Sequence, residues 1–149
     1  MKIKHYSTHS FHKKYLKVSG FLVASFAPIC FLGTIPETAE FARVSLDLLS
    51  WPIDGRESLT GGTSKLLSAI LGGFLLGYGI TIWQLSQAYD YAPEVIRKIV
   101  VTGLCSWFFL DSLGSIAGGH WSNALWNVPI LFAFVGPLWF PVQIKNKID

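Results

Sequence analysis

Residues 66–86 read LLSAILGGFLLGYGITIWQLS, an unbroken apolar run without a single charge. At ~1.5 Å per residue, a helix of this length crosses the ~30 Å hydrocarbon core of a bilayer. Lipid offers no partner to a bare peptide group, so the run reads as a transmembrane helix. Three more stretches share its character. Residues 18–36 precede it and contain Pro28, which lipid-embedded helices tolerate. Residues 95–117 follow, with Arg97 and Lys98 at their start and Asp111 inside, and residues 121–142 carry no charge. The expected fold class is all-α, an integral membrane four-helix bundle. One membrane domain over residues 18–142 would hold all four spans, between a basic cytoplasmic tail (1–17) and a short one (143–149).

Composition agrees. Apolar residues make up 51% of the 149 and charged residues 14%, against roughly 25% charged in soluble proteins. The charges are gathered into short stretches between apolar runs, as a lipid solvent requires. The net charge of +3 is no argument for nucleic acid, because the basic residues flank apolar segments as topology signals. Five of them lie in the N-terminal tail (Lys2, Lys4, Lys13, Lys14, Lys17), two are Arg97 and Lys98, and two are Lys145 and Lys147. The long loop holds three, Arg43, Arg56 and Lys65. Nine against three places both termini in the cytoplasm, and a bacterial inner membrane is the expected location. The basic start would also suit a cleaved signal peptide. Its apolar run is long and lacks a small-x-small site before Pro36, so retention is expected.

Between the first two spans, residues 37–51 (ETAEFARVSLDLLSW) place Phe41, Val44, Leu48 and Trp51 at helical spacing, with Glu40, Arg43 and Asp47 on other faces. This periodicity predicts a short amphipathic helix in the membrane interface. The helix is expected to pack on its own bundle, the alternative being a docking surface for a partner. Pro52-Ile53-Asp54-Gly55 reads as a turn.

The strongest chemical signal is a polar set in the last two spans: Asp111, Ser112, Ser115, Asn123 and Asn127. The hairpin turn Gly118-Gly119-His120 forces these spans antiparallel. Centred on Gly119, it puts Asp111 at the depth of Asn127 and Ser115 at that of Asn123. Asp111 and Ser115 are at i,i+4 spacing on one helix, as are Asn123 and Asn127 on the other, so two stacked polar layers result. An acid at this depth needs a partner. The set is read first as a hydrogen-bonded clasp, and second as a site for a proton, ion or ligand. His120 is read as an interfacial turn residue.

Ala69, Gly73 and Gly77 form a small-residue stripe expected to pack against another span of the same chain. His5, His9 and His12 have i,i+4,i+7 spacing, but neither acid nor cysteine joins them, so a solvated tail without metal is expected. Cys30 and Cys105 show no ligand spacing. No phosphate loop, nucleophile elbow or haem-attachment pattern occurs, and no cofactor or enzymatic activity is expected.

The segments SLDLLSWPIDG (45–55), LSAILGGFLLGYGITIW (67–83) and SWFFLDSLGS (106–115), with Asn-x3-Asn beyond, resemble a group of small, uncharacterised bacterial four-helix membrane proteins. The resemblance covers most of the chain after residue 40 and implies no activity. The functional expectation is association, as an accessory or assembly subunit, with the bilayer and a membrane-protein partner or second copy as contacts. The alternative is a carrier of protons, ions or a small solute through Asp111.

Overall fold

The structure, a computed structural model, describes residues 7–142, and these are helical without strands. The elements are α1 (Ser7–Ala24), α2 (Ala27–Leu32), α3 (Ala39–Leu49), α4 (Gly62–Ala88), α5 (Pro93–Ala117) and α6 (Trp121–Val135), closed by a 3-10 turn over Gly136–Trp139. Three segments are long and apolar enough to cross a membrane: His9–Leu32, Gly62–Ala88 and Pro93–Ala117. They mark the chain as a membrane protein.

The fourth apolar stretch, residues 121–142, is not one continuous helix. At ~1.5 Å per residue, the 15 residues of α6 reach only about 22 Å. Gly136 ends α6 with a positive φ of 46°, and Pro137 behind it has no N–H with which to continue the ladder. The first segment differs too. α1 begins at Ser7, well before residue 18, so the stretch read as a solvated tail is helical from there. α1 stops at Ala24 and α2 restarts at Ala27. The cause is Pro28, whose ring clashes with the carbonyl four residues back, at Ala24.

Packing pairs the helices unevenly. α1 and α2 lie along α4, α5 lies along α6, and α4 hardly touches α5 although only four residues join them. The close approach of α1 to α4 is made by Gly20 and Gly79. A Cβ on Gly79 would stand 2.5 Å from the Gly20 carbonyl oxygen and 2.7 Å from the Ala24 nitrogen. Gly72 similarly faces Cys30 and the Ala27 carbonyl of α2. The stripe predicted to make this contact does not. Ala69, Gly73 and Gly77 are exposed, and nothing lies within 4 Å of a Cβ built on Gly73 or Gly77. Period-four spacing finds a stripe of small residues, whereas the two glycines that meet α1 and α2, Gly79 and Gly72, are seven residues apart.

The end of the bundle bearing the α4–α5 turn is tied by polar groups. His12, fully buried, shares a 3.1 Å hydrogen bond with the Tyr89 hydroxyl. Lys13 pairs with Asp90, and His9 lies 3.8 Å from the same carboxylate. His9 and His12 therefore have an aromatic and an acidic neighbour supplied by the α4–α5 turn, while His5 lies outside the described residues. Burial pushes the Tyr89 phenol up to about 12, and the Lys13 ammonium holds the Asp90 carboxyl below its usual range. Arg97 donates two bonds to Glu94, at 2.8 and 2.6 Å, and one of 2.7 Å to the Leu138 carbonyl. That last bond secures the 3-10 turn to the start of α5.

Candidate polar clasp and the cleft beside it

At the opposite end, the α5–α6 hairpin turns through Gly118 and Gly119, the latter at φ 86°. Close antiparallel packing follows from this short connection, and it brings the five predicted polar side chains together. The Asn127 amide nitrogen donates to Asp111 Oδ2 at 2.6 Å and to Ser112 Oγ at 3.1 Å. The Asn123 amide nitrogen donates to the same Oδ2 at 3.0 Å and to Ser115 Oγ at 2.8 Å. Each amide has two N–H groups, so both amides are satisfied as donors. Asn127 is buried, and Asp111, Ser112, Ser115 and Asn123 are half-buried. The carboxylate accepts through one oxygen only; Oδ1 has no hydrogen bond among the described residues.

Above this clasp the loop after α3 docks on α6. Ser122 Oγ donates to the Leu49 carbonyl at 2.7 Å, and Trp126 Nε1 donates to the Leu48 carbonyl at 3.1 Å. Carbonyls at a helix C-terminus lack intrahelical partners, and here α6 side chains supply them for α3. The Trp51 N–H returns to Ser122 Oγ at 2.8 Å, Trp51 meets Trp121 edge-on at 5.7 Å, and Ser50 Oγ bonds His120 Nδ1 at 2.6 Å. His120 is thus a docking residue as well as a turn residue. Sequence reasoning missed this whole contact. Ser50, Ser122 and Trp126 carry no periodic or charge signal that links two segments some seventy residues apart.

The predicted helix over residues 37–51 forms as α3, but its apolar face does not pack on the bundle. Phe41 is 72% exposed and Val44 53%, and Leu48 and Trp51 are also exposed. The buried positions are Ala42 and Asp47. Asp47 accepts from the Gly55 N–H at 3.1 and 3.2 Å with its two oxygens, which closes the Pro52–Gly55 turn beneath the helix. A buried carboxylate needs such a donor; with Ala42 and Asp47 turned inward, Phe41, Val44 and Leu48 are left facing outward.

Because α4 and α5 stand apart, a cleft of about 830 Å³ opens between them. Its walls are mostly apolar, with Leu75, Leu104, Trp107 and Phe134 prominent; Asp111, Ser115 and His120 give one end its polar groups, and Ser106 and Tyr78 also line it. Farther along, the Tyr78 hydroxyl is buried against Gly103 and has no hydrogen-bond partner among the described residues. Any Cβ at position 103 would collide with it.

In comparison with known proteins, the chain matches no protein-family model, no curated protein and no solved structure.

Proposed function

We propose that this chain works by association within the bilayer, as an accessory or assembly subunit of a membrane complex. The observation that carries the reading is the outer face of α4. Ala69, Gly73 and Gly77 lie on it, and its own chain leaves the two glycines bare. Small residues at four-residue spacing let a second helix approach closely, and lipid chains gain nothing comparable from them. The proposed topology has four crossings, with both termini in the cytoplasm of a bacterial inner membrane. α6 supplies about 22 Å, and the four-residue 3-10 turn adds ~8 Å at ~2 Å per residue, which together match the hydrocarbon thickness. In this topology α3 lies in the outer interface with Phe41, Val44 and Leu48 in the acyl region.

Photo-crosslinking in intact cells tests the reading. A photoreactive residue at Gly77 should give an adduct of one discrete mass, and Gly73→Leu should abolish it while the protein still inserts. The mass separates a second copy from a different protein. Crosslinking at Gly77 indistinguishable from that at the control position Leu75, on the cleft side of α4, would overturn the proposal.

Transport through Asp111 is the second reading, favoured by one observation: the carboxylate lies at the end of an open cleft. Its place as the acceptor shared by two neutral amides argues for a structural role first.

A further inference from the structure

The cleft between α4 and α5 is an elongated apolar trough with an acid near one end. Its residues on α5 run from Gly103 to Ser115, about 18 Å of helix at ~1.5 Å per residue. A volume of about 830 Å³ over that length leaves ample room for an extended chain. A single hydrocarbon chain needs only ~20 Å², set by carbon contacts of ~4 Å, so it enters with room to spare. The cleft accordingly suits a small amphiphile whose body is a folded chain or an isoprenoid of similar girth, within the usual size of ligand pockets.

Charge fixes the head. Asp111 lines the polar end, its Oδ2 is occupied by the two amides, and Oδ1 remains for a ligand. Among the described residues, neither lysine nor arginine lines the cleft. A carboxylate among neutral groups in a low-dielectric site is complemented by a cation that donates hydrogen bonds. Ser115 and His120 continue the polar lining toward the α5–α6 turn, a route by which such a head can reach Asp111.

We infer that the α4–α5 cleft binds an amphiphile carrying a primary ammonium directly on an apolar body, with the ammonium on Asp111 Oδ1 and the body along Leu104 and Trp107. An aminophospholipid shares the ammonium, but its phosphate would have to lie beside the Asp111 carboxylate. The geometry therefore selects the free amine.

The test is thermal unfolding of the purified full chain in an uncharged detergent, with dodecylamine, dodecanol or phosphatidylethanolamine added. A ligand that binds only the folded state raises the midpoint. Dodecylamine should raise it by several degrees in a saturable way, and the other two should not. Two variants localise the effect. Asp111→Asn keeps an acceptor for both amides while removing the charge. Gly114→Leu fills the cleft at a position where an added Cβ meets nothing within 4 Å, so the fold has no reason to suffer. Both should lose the dodecylamine response. No response in the unmodified protein, an equal response to dodecanol or phosphatidylethanolamine, or a retained response in either variant would overturn the inference. The association proposal is read by crosslinking on the other side of α4, so the two can fail separately.

Discussion

Asp111→Leu removes the single acceptor on which both α6 amides converge, and its cost can be worked out from the clasp. Two interhelical hydrogen bonds are lost, the 2.6 Å bond from Asn127 and the 3.0 Å bond from Asn123. Hydrogen bonds within membranes average ~0.6 kcal/mol in double-mutant cycles, with an upper value near 1.7. Two average bonds give about 1 kcal/mol. The 2.6 Å bond to a charged acceptor belongs toward the stronger end, which sets the expected loss at about 1–2 kcal/mol. Asp111→Asn isolates the role of the acceptor from that of the charge. Its amide oxygen accepts both bonds in the place of Oδ2, and its NH₂ takes the place of Oδ1, which serves no protein group. The expected loss for Asn is roughly 0.5 kcal/mol, the difference between a charged and a neutral acceptor. Reversible unfolding of the detergent-solubilised chain by a denaturing detergent measures both. Two outcomes refute the reasoning. If Leu is no less stable than Asn, the clasp carries no energy. If Asn is as unstable as Leu, the charge and not the shared acceptor holds the hairpin.

Gly79→Leu should destabilise the α1–α4 contact by ~2 kcal/mol or more, since its side chain would enter the Gly20 and Ala24 backbone, whereas Gly77→Leu should leave the unfolding midpoint of the isolated chain unchanged. The Lys13–Asp90 tie should loosen on acidification. The folded Asp90 carboxyl is depressed, so its contribution is complete above the ordinary value near 4 and fades as pH falls through the lower folded value; hydrogen exchange at the start of α1 should rise over that range, and Lys13→Ala should abolish the pH dependence. Reporter fusions at either terminus should both signal the cytoplasm, and a periplasmic C-terminal signal would rule out the fourth crossing. Cys30 and Cys105, both free in the structure, should appear as unlinked peptides in a non-reducing mass map.

Sequence alone determined the solvent, the helical class and the polar register of the last hairpin. The reason is locality. An uncharged run such as residues 66–86 must satisfy its own backbone in lipid, and a two-glycine turn leaves Asp111 and Asn127 only one way to face each other. Position along the chain decides such things. The tertiary structure decided what depends on segments far apart in sequence. Pro28 and Gly136 are visible as letters, yet only the packed chain shows a span broken at Ala24 and a last helix ended at Val135. The choice of Gly79 over Gly77 as the contact face belongs to the crossing of α1 on α4, which helical periodicity does not encode. The outward apolar face of α3 accompanies an inward-turned Ala42 and Asp47 and carbonyls capped by Ser122 and Trp126. The cleft beside Asp111 arises from where neighbouring helices do not meet, and no stretch of sequence spells out an absence of contact.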